Sequence, residues 1–222
     1  FDDFDTFNPD NWQDQRIWVN NETQCYVPDG KYETREVSDG TIKLKVVNIG
    51  EKIACDNFDK HGAQHPETQY VAARITSKNK KEFIKGKWTA RLRLMGNGEA
   101  SMFPAWWLLG SQNNEPPVQE ADETVCWPTT GSGEIDIFEH HGDGEDNHFT
   151  AGAIKNLGGC GEGDMVGSRA GEGGERAAGG GGEHGAGTEG CSIVASCQQD
   201  PGGGGHVSWN GKVFITFRSD TV

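Results

Sequence analysis

Short runs in which apolar and polar residues alternate recur along the first half of the chain, broken at intervals by turn-forming pairs. In Ile42-Lys43-Leu44-Lys45-Val46 the period of two puts Ile42, Leu44 and Val46 on one face of a strand. Asp39-Gly40 just before that run and Asp29-Gly30 earlier are hairpin-type turn signals, so residues 1–50 read as a meander of strands. Residues 50–69 are polar and aperiodic, contain Cys55, His61 and His65, and read as a long surface loop. Val71–Ser77, Lys87–Met95 and Phe103–Leu109 read as further strands, separated by Asn79-Lys80-Lys81 and Gly96-Asn97-Gly98. No segment before residue 150 shows helical periodicity. Short, evenly spaced strands predict an all-β sandwich.

The pattern changes after Leu157. Residues 158–205 are runs of Gly, Glu and Ala, including Gly179–Gly182 and Gly202–Gly205. Glycine loses the most backbone entropy on ordering and brings no side chain to bury, so this stretch is expected to be loop or disorder. Residues 206–222 recover alternation, with Val213, Ile215 and Phe217 on one face and Phe214 and Thr216 on the other, and predict a last strand. A chain of 222 residues suits one domain: a well-patterned part over 1–157, the Gly-rich 158–205, and a terminal strand in 206–222.

Only 33% of residues are hydrophobic, and no run approaches the roughly 20 apolar residues that cross a bilayer, so no membrane span is expected. The net charge of -14 works against nucleic acid, anionic lipid and sulfated or uronic polymers, and makes a neutral partner the expectation. Oligomeric state is not readable from these features. The six cysteines, Cys25, Cys55, Cys126, Cys160, Cys191 and Cys197, form neither CxxC nor a zinc-type Cys/His spacing. Their even number suits disulfides and an oxidising compartment, with the pairing open, so a secreted protein is expected. A start at Phe1 with no Met and no signal-like apolar run suits a processed or trimmed form equally, and Asn21-Glu22-Thr23 is a glycosylation sequon.

The chemistry gathers in Gly133-Glu134-Ile135-Asp136-Ile137-Phe138-Glu139-His140-His141, which sets three acids into an apolar strand-like run. Buried charge is costly there without a task. On a regular strand Glu134 and Asp136 share a face while Glu139 points the other way. One extra residue accommodated near Ile137 or Phe138 brings all three acids to one face, so the spacing predicts a bulge. Such a row suits glycoside hydrolysis, in which one carboxylate attacks the sugar and a protonated one serves the leaving oxygen; a gap of about 5–5.5 Å implies retention. A solvated edge strand or a calcium site would use the same residues. Met102–Gly110 and Cys126-Trp127-Pro128 add three tryptophans, whose faces stack on the apolar faces of sugar rings. Trp106 and Trp107 must point oppositely, so one can pack the core while the other faces a cleft, and a core role for both would fit the same residues.

The Glu-x-Asp-x-x-Glu run with a Trp-Pro ahead of it resembles glycoside hydrolase family 16, in its laminarinase-like branch of endo-β-1,3-glucanases. Phe1–Asp5 with Asn11-Trp12, Asn20–Tyr26, Ala73-Arg74-Ile75, Gly86–Arg91 and Phe103–Leu109 are similar to successive family segments in the same order. The resemblance covers roughly residues 1–157. It implies a curved β-sandwich jelly roll of the concanavalin type, with Glu134 as nucleophile, Asp136 as its helper and Glu139 as general acid and base. It implies Asn21, Arg74, Trp107 and Trp127 as lining of the glycone side and His148 on the next strand near Glu139. Packing or a surface hydrogen bond would explain each of these as well. It implies no cofactor for catalysis, and a structural calcium ion without identifying ligands. Trp209–Phe217 is similar to one family strand pair, but an expected closing strand is missing, which leaves the second half of the sandwich incomplete as written.

The expected activity is retaining endo-hydrolysis of a neutral β-glucan containing β-1,3 links. Transglycosylation uses the same acids with a sugar hydroxyl in place of water. A non-catalytic glucan-binding protein on the same fold would typically lack one of the acids, and here all three are present.

Overall fold

Alternating runs become stable strands only where neighbours satisfy their backbone N–H and C=O groups, and that pairing gives this chain its shape. The computed structural model describes residues 2–18, 22–55, 65–83, 86–93, 102–111, 133–140, 148–156, 163–165, 169–172, 191–197 and 211–219. Of Gly86, Lys87, Met102, His148 and everything beyond Lys155, only the backbone is described. In chain order the first strands are β1 (Gln13–Asp14), β2 (Cys25–Tyr26), β3 (Arg35–Ser38), β4 (Thr41–Leu44) and β5 (Val46–Ile53). Then come β6 (Thr68–Ala72), β7 (Arg74–Thr76), β8 (Gly86–Leu92), β9 (Met102–Gly110) and β10 (Glu134–Glu139). The rest are β11 (His148–Asn156), β12 (Gly163–Met165), β13 (Arg169–Glu172), β14 (Cys191–Cys197) and β15 (Gly211–Ser219). Among the described residues there is no α-helix, and none long and apolar enough to cross a membrane.

The largest sheet runs β1-β7-β15-β9-β10-β11-β12, with β13 also on the outer side of β11. Its pairs are antiparallel. The rear layer includes β8, paired along its whole length with β14. Trp88, Ala90 and Leu92 alternate inward along β8 and pack against Trp106, Leu108, Ile137 and Phe138 of the large sheet. Trp12 packs on this cluster and on the adjoining one of Leu44, Ala73 and Ile75, so the two cores meet. This is the β-sandwich that the alternation predicts, in the jelly-roll form that the resemblance implies.

The Asp39-Gly40 signal is realised as a two-residue hairpin turn. Ser38 pairs with Thr41, and φ is 54° at Asp39 and 66° at Gly40, the positive pair that a type I′ turn requires. Asp29-Gly30 also takes positive φ, but joins no hairpin. It leads into a 3-10 turn at Lys31–Glu33, while β2 before it pairs in parallel with β6. Arg35 fastens this corner with a two-pronged ion pair to Asp14, at 2.8 Å for each nitrogen, and lies 3.7 Å above the Phe7 ring.

Four expectations are corrected by pairing partners. Val71–Ser77 is two strands: the chain leaves the β2-β6-β5 sheet at Ala72 and enters the large sheet at Arg74. Ala73, at the switch, donates its N–H to the Lys45 carbonyl. Val46 leaves the face of Ile42 and Leu44 because the chain breaks at Lys45, and it packs with Ile17, Tyr26 and Ala72 instead. The loop expected over 50–69 begins later, since β5 continues to Ile53 and its register shifts against β6 between Asn48 and Ile53. Cys55, just beyond β5, forms a disulfide with Cys25 (Cα–Cα 5.8 Å, 30 residues apart), a closure worth about 3.5 kcal/mol by loop entropy. The strand expected over Lys87–Met95 ends at Leu92.

The Gly-rich stretch also departs from expectation, because β12, β13 and β14 lie within it. Strand pairing uses only backbone groups, so β11 with free edge groups orders β12 and β13, which have little side chain to bury, while β14 sets the β-branched Ile193 and Val194 opposite Ala90 and Thr89 of β8. The terminal strand falls where alternation put it. Val213, Ile215 and Phe217 take the register positions of Leu108, Trp106 and Pro104, and Phe214 and Thr216 those of the opposite face.

Gly30→Ala and Gly40→Ala separate two glycine effects. A Cβ at Gly40 meets only ordinary contacts, so the cost is that of left-handed φ, about 1 kcal/mol. A Cβ at Gly30 would sit 2.7 Å from the Arg35 carbonyl oxygen. Gly30→Ala is therefore expected to cost more, roughly 2–3 kcal/mol in denaturant titration. On the β3–β4 hairpin, hydrogen bonds from Lys43, Lys45 and Ser38 lower the Glu36 carboxyl to about 2 from an ordinary 4.5. A depressed acid stabilises the fold above its unfolded value and loses that contribution as pH falls through the folded one. Glu36→Gln should thus flatten the fall in Tm between pH 4.5 and about 2, by a small amount because the group is exposed.

Candidate active site

Strand β10 lies between β9 and β11, and its two ladders slip at the same place. Against β9, Glu134 pairs with Leu109 and Asp136 with Trp107; then Phe138 pairs with Trp106 and Glu139 with Ala105. Against β11, Glu134 pairs with Ile154, Asp136 with Gly152 and Glu139 with Thr150. The residues between Asp136 and Glu139 therefore hold one more position than their partners, which is the bulge that the acid spacing predicts.

The slip sorts the side chains. Residues opposite one another on paired strands share a face, so Glu134, Asp136 and Glu139 lie on the face of Leu109, Trp107 and Ala105. Ile137 and Phe138 both enter the core with Trp106 and Leu108, and the Phe138 ring stacks on Phe149 at 5.3 Å. Asp136 is buried, and Glu134 and Glu139 are half-buried. Trp106 and Trp107 divide as alternation requires: Trp106 joins the core between the layers, and Trp107 packs with Phe103, Ala105 and Leu109 on the acid face.

Both ends of β10 are tied down. Gly110 donates its N–H to the Gly133 carbonyl at 2.9 Å, and His140 donates its own to the Pro104 carbonyl at 3.0 Å. Gly133 runs so close to β11 that a Cβ there would collide with the Ile154 carbonyl oxygen. Glycine at this position sets the entry of the strand that carries the first acid.

Arg74 comes to the same region from β7. It takes the register of Thr216 on β15, which faces Ala105 and so the rung of Glu139. Its guanidinium lies 4.9 Å from the Trp107 ring and 5.7 Å from the Tyr26 ring. Behind it lie Glu22, Gln24 and Tyr26, three residues of the Asn20–Tyr26 segment that carries the resemblance, which assigns them no role. The Gln24 amide donates to the Glu22 carboxylate at 3.0 Å and to the Tyr26 hydroxyl at 3.1 Å, and the Trp18 indole donates to the Glu22 carbonyl at 2.6 Å. Burial pushes the Tyr26 hydroxyl well above the usual phenol range; the charge of Glu22 adds to this and that of Arg74 opposes it. The signal available was the period of two in Glu22, Gln24 and Tyr26, which points three hydrogen-bonding side chains to one side.

Of the residues proposed for the site, Glu134, Asp136, Glu139, Trp107 and Arg74 are thus brought to one face. His148 begins β11 opposite Glu172, two positions before Thr150, at a register position on the acid face. Asn21 and Trp127 lie outside the described residues. Among the described residues no three His, Cys, Asp or Glu side chains cluster as a metal site would require.

A jelly-roll sandwich with a row of carboxylates on one face of its larger sheet is the structural class to which this chain belongs. No protein-family model matches the chain, and no curated protein matches it in sequence. Solved structures share its fold. The laminarinase catalytic domain of Thermotoga maritima MSB8 matches at TM-score 0.65 and 20% identity, over 98% of this chain and 84% of that one. A mutant of SCLam, a non-specific endo-β-1,3(4)-glucanase from family 16 with a glucan oligosaccharide at its active site, matches at 0.68 and 14%, over 99% and 82%. A structure described among endo-acting O-glycanases that human gut microbiota use to initiate mucin breakdown matches at 0.72 and 16%, over 98% and 78%. At these identities the likeness establishes the fold.

Gly133→Ala should show how tightly the acid strand is held. The clash is with backbone, which cannot rotate away, so the expected loss is roughly 2 kcal/mol in denaturant titration. A change within a few tenths of a kcal/mol would mean that β10 and β11 separate easily there.

Proposed function

We propose that this chain is a glycoside hydrolase of family 16 that cleaves neutral β-glucan containing β-1,3 links, by endo attack with retention of configuration. The observation that carries this reading is the bulge in β10, which sets Glu134, Asp136 and Glu139 on one face beside Trp107 without exposing Ile137 and Phe138. A strand built for packing alone has no need of the slip.

The chemistry follows from the order of the acids. Glu134 attacks the anomeric carbon, while the protonated carboxyl of Glu139 gives its proton to the departing glycosidic oxygen. The bond from sugar to leaving group breaks as the bond from sugar to Glu134 forms. In the second half Glu139, now a carboxylate, takes a proton from water, and the resulting oxygen displaces Glu134. Asp136, buried between the two, orients the nucleophile. Glu134 and Glu139 face Leu109 and Ala105, rungs about 13 Å apart along β9. Retention needs the two carboxyls at about 5–5.5 Å, a span that two glutamate side chains leaning toward each other over Asp136 would reach.

Three further features support the substrate and setting. Trp107 lies on the acid side with 9% of its surface exposed, an aromatic patch suited to the apolar face of a sugar ring. The net charge of -14 disfavours sulfated galactans. The Cys25–Cys55 disulfide favours an oxidising, extracellular setting. Solved structures of the same fold include a laminarinase domain and a glucanase holding a β-glucan oligosaccharide. A structural calcium ion belongs to this reading, with no ligands assigned and no part in the steps above.

Reducing-end release from laminarin, mixed-linkage glucan and agarose tests the reading. Laminarin should be cleaved, and Glu134→Gln should lower the rate by about a thousandfold or more. Release from none of the three by the unmodified protein would overturn it. The two glutamates should also separate by leaving group. Glu139→Gln should keep much of its rate in the first step on aryl β-glucosides whose phenol needs no proton, whereas Glu134→Gln should fail on these as well.

A further inference from the structure

Arg74 is 3% exposed, so the guanidinium presents almost no surface of its own to a glycan. Its visible action is on its neighbours, since the Tyr26 and Trp107 rings both lie within reach of its charge. A buried cation needs a counter-charge and satisfied donors. Glu22 is also buried, and its charge and that of Arg74 both act on the Tyr26 hydroxyl, in opposite senses. Gln24, fully buried, bridges Glu22 and Tyr26 through one amide group whose two N–H bonds are both used. The groups form one connected assembly running from Trp18, through Glu22, Gln24, Tyr26 and Arg74, to the indole beside Asp136.

We propose that Glu22 and Tyr26 are positioning residues, which hold Arg74 against Trp107 and thereby set the orientation of that indole and the affinity of the acid face for glycan. This deepens the hydrolase reading and rests on it for the glycan part only. The assembly is rigid because each member is buried and engaged on more than one side, so loss of a charge or a hydroxyl at the far end is felt at the indole. Trp107 occupies the rung of Asp136, between those of the two glutamates. A tilt of its ring changes the surface offered to the sugar but leaves the carboxylates in place, so it acts on binding more than on the chemical step.

Two nearly isosteric variants test this. Glu22→Gln removes a charge and keeps an oxygen for the Gln24 amide; Tyr26→Phe removes a hydroxyl and keeps the ring under Arg74. With tryptophan labelled by ¹⁵N, the seven indole N–H signals are followed, those of Trp107 and Trp12 being identified by their loss in Trp107→Phe and Trp12→Phe. In the folded variants the Trp107 signal should shift while that of Trp12, outside the assembly, stays in place. The KM for laminarin should rise about fivefold with kcat held within about twofold. An unmoved Trp107 signal in both variants would overturn the positioning role, and an unchanged KM would overturn its link to glycan affinity. If one variant fails to fold, the other carries the same two readouts. If the unmodified protein cleaves no β-glucan, the hydrolase reading fails, and the indole signals still decide whether Glu22 and Tyr26 position Trp107.

Discussion

The arrangement depends on one backbone irregularity, the extra residue that β10 holds between Asp136 and Glu139. A strand in perfect register would have to choose. With Glu134 and Asp136 on the acid face, Phe138 would join them and leave the core while Glu139 was driven between the sheets with no water; with Glu139 on that face instead, Ile135 and Ile137 would leave the core and Glu134 and Asp136 would be driven in. Burying a carboxylate costs several kcal/mol, and exposing Phe138 forfeits roughly 2 or more. The bulge removes the conflict by letting Ile137 and Phe138 both point inward. Both neighbouring ladders shift at this point, so the irregularity is shared by three strands and cannot anneal away in one.

Around that row the protein places two kinds of support. On the rear, the Phe138–Phe149 stack and the inward residues of β8 hold β10 by apolar contact. On the front, the acids sit beside the apolar row Phe103, Ala105, Trp107 and Leu109, to which Arg74 adds a charge from a strand that has just crossed between sheets. The crossing at Ala73 lets one short segment serve both. Ala72 packs with Ile17 and Tyr26 in the small sheet, and Ile75 with Leu44 behind the large one, leaving Arg74 between them turned to the front.

What could be read from the sequence was whatever a local period constrains. The bulge was legible because three acids in an alternating run contradict alternation, and the opposed faces of Trp106 and Trp107 because adjacent strand residues cannot share one. Asp39-Gly40 was legible because few pairs tolerate two positive φ angles in succession. The break at Ala73 was not, since Val71–Ser77 carries no turn residue and the switch is decided by the Lys45 carbonyl and by β1, distant in sequence. The same holds for β12 and β13, whose pairing needs nothing of their side chains, whereas β14 carried a signal in Ile193 and Val194 that its Gly-rich surroundings hid. The Glu22–Gln24–Tyr26 assembly lay between: its period was visible, but its meaning came from Arg74, which only the fold brings near.

The place of β15 in the large sheet bears on how the protein is made. It pairs with β9 over nine residues and with β7 on its other side, so a strand near the far end of the chain sits in the interior of a sheet begun much earlier. Until those residues arrive, β7 and β9 each present an open edge, the kind of surface on which unrelated chains add strands. The contacts that close it span more than a hundred residues, a separation that makes β-folding slow. During synthesis the acid-bearing strand must therefore wait, partly assembled, for its sheet to be completed, and that interval is when aggregation competes with folding.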